Sequence, residues 1–167
     1  MTAKTTTQMT ELAFRRLEPS DMAAVRDLHA ALDDRDGYYR FFGPRPKNLD
    51  HIATQIATDD PKHCALGAFL DHRLVGVANY VVLDDARYAE VAMIVAHEDQ
   101  HAGIGTALLG RLAQEARRHG IERFVAEVLS TNSKMMQLLM DIDLPIGVRR
   151  EDDVLSVVLE LGRPQGA

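Results

Sequence analysis

A short segment with two glycines joins an apolar, β-branched run to an amphipathic helical pattern in the middle of the chain. The run covers residues 88–95, and the pattern over 104–119 places leucines and alanines on one helical face. Gly103 and Gly105 allow a tight turn and leave backbone N–H groups open to a ligand. Because the start of a helix carries partial positive charge, this junction predicts an anion-binding site that would fit a pyrophosphate.

The spacing of these glycines separates the segment from two common phosphate-binding motifs. The dinucleotide fingerprint G-x-G-x-x-G requires a glycine where Leu108 stands, and the Gly-Lys-Ser/Thr of a P-loop is absent. Two glycines also occur in plain strand-to-helix turns. The organisation of the rest of the chain therefore has to distinguish a binding site from a turn.

The remaining sequence alternates between strand and helix patterns. Strands are predicted at 13–17, 64–70, 74–82, 88–95, 124–129, 146–150 and 154–161. Helices are predicted after Ser20, after Asn48, at 104–119 and from Asn132 to residue 140. The segment 33–47 holds glycines, prolines and an aromatic cluster, and it is predicted to be an ordered loop. This order predicts an α/β (α+β) fold, with a mixed, largely antiparallel central sheet flanked by about four helices.

Set in that order of elements, Gln100-x-x-Gly103-x-Gly105 resembles the acetyl-CoA motif of the GNAT superfamily of N-acetyltransferases. The resemblance extends over residues 14–161 and implies a GNAT-like fold with acetyl-CoA as the co-substrate. It also implies where the co-substrate binds. The expected cofactor positions are the backbone of Met93, Ile94 and Val95 along the pantetheine arm, Gln100, the amides of His101, Ala102, Gly103, Ile104, Gly105 and Thr106 around the pyrophosphate, and Asn132.

Acetyl transfer to an amine requires the neutral amine, and a lysine with a pKa of about 10.4 is about three units from that state at neutral pH. Two strand glutamates near the glycine turn are candidate bases, Glu90 in Ala-Glu-Val-Ala and Glu127 in Ala-Glu-Val. Among apolar neighbours such carboxylates are expected to be poorly hydrated and therefore more basic. The resemblance to protein-lysine acetyltransferases favours Glu90, and the resemblance to ribosomal-protein-type N-terminal acetyltransferases favours Glu127. Both stay open.

The proton donor for the departing thiolate is not assigned by the sequence. Many GNAT enzymes carry a tyrosine seven residues after the helix-opening asparagine, and Leu139 stands there instead. A thiol with a pKa of about 8.5 leaves tolerably well without a dedicated acid. The other candidates are the chain's four tyrosines, Tyr38, Tyr39, Tyr80 and Tyr88.

Residues 97–101 formally match the zinc-protease signature H-E-x-x-H. That chemistry needs a helix, because only there do residues four apart face one metal ion. The segment follows a strand and runs directly into glycines, so a loop is expected and no metal site is predicted. Cys64 lies in an apolar strand and is expected to be a small buried hydrophobe rather than an acyl carrier.

The aromatic segment with Tyr39, Arg40, Phe41 and Phe42 resembles the Tyr/Arg-Phe-Phe segment of bacterial protein-lysine acetyltransferase domains. Together with Ala-Glu-Val-Ala and the Asn-x-x-Met that begins at Asn132, it favours a protein lysine as the acetyl acceptor. Two alternatives stay open. One is an acetyltransferase for small-molecule amines, and the other is a non-catalytic CoA-binding or sensory module.

Composition bounds the partners and the organisation of the chain. A net charge of −6 disfavours nucleic acid and other partners held by broad positive charge. The sequence lacks both a run of about 20 apolar residues and the apolar core of a signal peptide, so no membrane association and a cytoplasmic location are predicted. One domain is expected over residues 12–162, with a flexible leader at 1–11 and a loose tail at 163–167. The oligomeric state is left open.

Overall fold

A computed structural model describes residues 11–43, 46–100 and 103–162 of the chain. The strands are β1 (Leu12–Arg16), β2 (His63–Leu70), β3 (Arg73–Val82), β4 (Tyr88–Val95), β5 (Arg123–Leu129), β6 (Ile146–Glu151) and β7 (Val154–Glu160). The α-helices are α1 (Met22–Ala30), α2 (Asp34–Phe41), α3 (Leu49–Ile56), α4 (Ile104–Arg118) and α5 (Ser133–Asp141). Short 3₁₀ turns lie at Pro19–Asp21 and His97–Asp99.

All of these strands belong to one sheet, in the order β1-β2-β3-β4-β5-β7-β6. Neighbouring strands are antiparallel except for β4 and β5, which are parallel. The sheet confirms the predicted mixed, largely antiparallel architecture. Helices cover both faces: α4 and α5 pack on one face in the larger apolar core, and α1 and α3 pack on the other.

Helix α2 is the main departure from the prediction. The expectation of a loop over 33–47 is wrong, and the described part of the chain has five α-helices where about four were predicted. The Asp33 side chain accepts a hydrogen bond from the amide of Asp36 at 2.7 Å, which starts the helix. Phe42 ends it in the left-handed region, with a φ of 58°. The capping aspartate therefore outweighs the low helix propensity of Gly37.

Several local signals behave as the sequence predicts. Asn48 and Asn132 accept hydrogen bonds from the amides of His51 and Met135 at the starts of α3 and α5. Gly120 follows α4 with a φ of 80°. Within the described ranges no helix is long and apolar enough to cross a membrane. The predicted tail and all but the last residue of the predicted leader lie outside these ranges, so the domain boundaries stay a prediction.

Candidate active site

The site opens where β4 and β5 part. These parallel strands pair at three positions, the last of which joins Glu90 to Val125. Beyond that point β4 continues to Val95 and β5 to Leu129 with no further pairing between them in the described chain. One edge of each strand therefore keeps free backbone groups. A cavity of about 820 Å³ lies at this opening, and Met93, Ile94 and Val95 are among the residues that line it.

The first turn of α4 forms one wall of the cavity. Gly103 begins the helix with a φ of 72°, a left-handed conformation that suits glycine. A side chain caps the start of α2, α3 and α5, whereas α4, the longest of the described helices, has no side-chain cap. The amides of its first turn therefore have no intrahelical partner and are open to a ligand. An uncapped helix start in a cavity fits the pyrophosphate of a CoA thioester.

Gly105 has a different reason to be glycine. A Cβ at this position would collide with the Cδ1 atom of Leu138 on α5. The missing side chain thus lets α5 pack closely against the start of α4. Ile104, between the two glycines, has a buried side chain, so only its backbone is available to a ligand.

The two candidate bases lie together at the point where the strands part. Glu90 is the last β4 residue paired with β5, and Glu127 follows Val125, the partner of Glu90, by two residues. Both side chains line the cavity. Alternate strand residues share a face, and the neighbours of each glutamate belong to the core beneath α4. Both glutamates therefore point to the opposite face, toward α2.

Both glutamates are exposed. The expectation of poorly hydrated carboxylates is therefore wrong for each of them. The reason is the face on which they lie, because both side chains point away from the core beneath α4 and into the cavity. Each carboxylate is accessible to an amine that enters the cavity and to the water that would carry a proton away.

Helix α2 contributes residues to the cavity that the predicted loop over 33–47 did not place there. The Tyr39 hydroxyl donates a hydrogen bond to the Thr131 carbonyl at 3.2 Å and accepts one from Arg35 Nε at 3.3 Å. Arg40 lines the cavity, where burial lowers its pKa and the Glu90 carboxylate partly offsets that effect. The sequence signal that could have placed them is the Asp33-x-x-Asp36 spacing, which is typical of a helix start.

Gln100 connects the parts of the cavity wall. Its Nε2 donates to the Val95 carbonyl at 3.2 Å and to Asp36 Oδ2 at 3.1 Å. Its Oε1 accepts a hydrogen bond of 3.5 Å from Lys134 on α5. The side chain thus joins β4, α2 and α5 beside the helix start that would hold the anion. Asn132 also lines the cavity while it caps α5.

Comparison with known proteins identifies this arrangement. A family model described as the acetyltransferase (GNAT) family matches residues 28–140, about two thirds of the chain. The chain belongs to the acetyltransferase (GNAT) family. Membership confirms the predicted enzyme class, an N-acetyltransferase of the GNAT type that acts on amines with acetyl-CoA as the co-substrate.

Solved GNAT structures share the fold over nearly the whole chain. The GNAT domain of S. lividans PAT is 28% identical, with a TM-score of 0.79, and the match covers 88% of this chain and 89% of that one. YncA, a putative acetyltransferase from Salmonella typhimurium solved with acetyl-CoA, is 22% identical over 93% of this chain and 99% of its own, with a TM-score of 0.75. The ribosomal-protein-S18-alanine N-acetyltransferase from Escherichia coli is 16% identical over 93% and 97%, with a TM-score of 0.72.

The tyrosines of this GNAT chain differ in their surroundings. Leu139, at the position of the usual GNAT tyrosine, is buried in the core. Tyr38 is exposed, Tyr80 is buried, and the Tyr88 hydroxyl accepts a hydrogen bond from an arginine at 2.9 Å. Tyr39 is the tyrosine among them that lines the cavity, and its hydrogen bonds lower its pKa.

The described residues of the segment 97–101 in this GNAT chain do not form the α-helix that zinc-protease chemistry requires. His97–Asp99 is a 3₁₀ turn, while His101 and Ala102 lie outside the described residues. His97 Nδ1 instead lies 3.6 Å from Asp36 Oδ2, at the mouth of the cavity. Cys64 is buried as expected, and burial raises the pKa of its thiol.

Proposed function

We propose that this chain transfers the acetyl group of acetyl-CoA directly to a lysine side chain of a protein. One observation carries the proposal: a single cavity holds an uncapped helix start that suits a pyrophosphate and two accessible glutamates that suit an amine. The Arg-Phe-Phe segment at the end of α2 resembles the segment of bacterial protein-lysine acetyltransferase domains, and this resemblance favours a protein acceptor.

The α4 side of the cavity serves the co-substrate. The first-turn amides, from Gly103 to Thr106, hold the pyrophosphate, and the free β4 edge at Met93–Val95 pairs with the pantetheine arm. Acetyl-CoA supplies a thioester whose acetyl group is activated for transfer. Free N–H groups on the same edge of β4 polarise the thioester carbonyl and stabilise the charge that develops on its oxygen.

The α2 side of the cavity serves the acceptor. A lysine arrives as an ammonium ion, and making it neutral at pH 7 costs about 4 kcal/mol. Glu90 accepts that proton and passes it to water, because its carboxylate is exposed at the parting of the strands. Glu127, on the same face, is the second candidate for this role. Because Leu139 is buried, we assign no residue as the proton donor for the thiolate. The thiolate is a weak base and leaves without one.

A panel of acceptors tests this proposal. The purified chain is incubated with acetyl-CoA and either lysine peptides, peptides with a free N-terminal amine, or polyamines, and thiol release is followed. We expect release with lysine peptides and an added acetyl group on the lysine Nζ by mass spectrometry. Release with polyamines alone would identify a small-molecule acetyltransferase. Acetyl-CoA binding by calorimetry without release on any acceptor would identify the non-catalytic module.

The place of action and the extent of the domain stay proposals as well. We propose a cytoplasmic enzyme with a single domain over residues 12–162. Limited proteolysis tests the second point. The predicted result is a resistant fragment with these boundaries that still binds acetyl-CoA.

A further inference from the structure

Among the residues that the structure describes, none forms a hydrogen bond or an ion pair with the guanidinium of Arg40. Its one ring contact is with the adjacent Phe41, 5.1 Å from the ring centroid. Arg40 is nevertheless half-buried and lines the cavity. An arginine carries five N–H donors, and removing it from water without partners is costly.

The other basic side chains that line the described part of the cavity have partners. Arg35 donates to Tyr39, Lys134 to Gln100, and His97 faces Asp36. Arg40 differs from them, since its donors are open to the cavity. An unpaired guanidinium in a ligand cavity points to an anionic group on the ligand.

The position of Arg40 shows which ligand carries that group. The Glu90 carboxylate, at the parting of the strands, acts electrostatically on the Arg40 guanidinium. The helix start that suits the pyrophosphate lies past Val95, and Val95 is five positions after Glu90 on β4, or about 16 Å along the strand. Arg40 therefore lies at the acceptor end of the cavity and not at the pyrophosphate end.

We propose that Arg40 binds a carboxylate of the acceptor, carried next to the amine that is acetylated. The inference rests on the proposed acetyl transfer and adds a recognition element to it. The acceptor ammonium faces Glu90 while its carboxylate faces Arg40, so each charge meets its opposite. For a protein substrate, the target lysine has an aspartate or glutamate as its neighbour. A free amino acid would offer the same chemistry through its α-carboxylate.

Matched acceptor pairs test the inference. Two lysine peptides differ only in an aspartate or an asparagine beside the lysine, and a second pair is lysine and lysinamide. The wild-type chain is expected to acetylate the aspartate peptide with a kcat/KM about tenfold or more above that of the asparagine peptide. Arg40→Gln is expected to bring this ratio to about one, and Arg40→Lys to keep part of it. A larger ratio for lysine over lysinamide than for the peptides would assign the carboxylate to a free amino acid.

The controls separate this inference from the proposed function. Arg26→Gln, on α1 outside the cavity lining, should leave the ratio unchanged. A wild-type ratio near one for both pairs, or an unchanged ratio in Arg40→Gln, overturns the inference while acetyl transfer stands. If no acceptor is acetylated, the proposed function fails, and calorimetric binding of the same pairs decides the role of Arg40. A tenfold difference in Kd between the two members of a pair supports carboxylate binding by Arg40, and equal Kd values overturn it.

Discussion

At the scale of single residues, His29 on α1 is a titratable side chain that the fold buries. The side chain is 1% exposed, and its Nδ1 lies 2.8 Å from the Val25 carbonyl, so Nδ1 carries the hydrogen. Its Nε2 has no hydrogen-bond partner within the described chain. Burial, with a smaller contribution from the Arg40 guanidinium, lowers the pKa of His29 from 6.5 to about 4. The folded protein therefore holds His29 in its neutral form.

This lowered pKa predicts a loss of stability on acidification. Below pH 6.5 the unfolded chain binds a proton at His29 that the folded chain takes up only near pH 4, so the unfolded state is favoured as the pH falls through this window. Between pH 7.5 and pH 5 the loss is about 2 kcal/mol. In His29→Leu this contribution should be absent from the pH dependence of the unfolding free energy measured in urea. His51→Gln, at an exposed site on α3, should keep the wild-type dependence.

At the scale of elements, the geometry of the co-substrate wall depends on how closely two helices approach. Gly105 on α4 faces Leu138 on α5 with no room for a methyl group. The same approach keeps Lys134 within 3.5 Å of Gln100. The packing of α5 thus fixes the helix start that would hold the pyrophosphate.

Gly105→Ala should therefore force the Leu138 side chain out of its present position between α4 and α5. We expect a loss of about 0.5–1.5 kcal/mol in unfolding free energy, the cost of an off-rotamer side chain, and weaker acetyl-CoA binding by calorimetry. Shortening the opposing side chain in Gly105→Ala/Leu138→Ala should restore part of the lost unfolding free energy and part of the lost acetyl-CoA binding. A double-mutant cycle would measure this as a positive coupling. Gly110→Ala is the matched control on the same helix, because a Cβ there meets nothing within 4 Å. It should stabilise the fold by about 0.4–1 kcal/mol.

The start of α2 carries a second prediction at this scale. Asp33→Ala removes the side chain that accepts a hydrogen bond from Asp36, and should lower the unfolding free energy by about 0.5–2 kcal/mol. Because α2 holds Arg40 at the acceptor end, the KM for the acceptor should rise more than the KM for acetyl-CoA. Asp34→Ala, one residue into the helix and without that bond, should change both KM values little. Equal changes in the two variants would mean that the cap does not position α2.

At the scale of the whole molecule, the local patterns of the sequence account for most of the fold. The bounds of β4 and the start of α4 follow directly from the apolar run and the glycines, and the strand composition accounts for the sheet. The same glycine segment also led to the family. These features depend on residues close together in the chain, where periodicity and turn chemistry are readable.

The parts that the sequence did not supply depend on contacts between distant segments. The exposure of Glu90 and Glu127 follows from the cavity left open on their face of the sheet, which neither strand encodes alone. The contact that a Cβ at position 105 would make involves a side chain on another helix. Local cap geometry at Asp33 and Phe42 sets the ends of α2. The glycines and prolines of the same segment favoured a loop instead, so the helix was not predicted. Arg40 could be placed in the cavity only once α2 was known to be a helix.

In the proposed reaction, a carboxylate at the parting of β4 and β5 takes the proton of the acceptor amine. The pH dependence of kcat/KM for a lysine peptide tests this role, measured in the wild type, Glu90→Gln and Glu127→Gln. We expect Glu90→Gln to lower kcat/KM by about 100-fold or more and to remove the acidic limb of the profile, with a smaller effect in Glu127→Gln. An unchanged profile and a rate within a few-fold of wild type in both variants would contradict the claim.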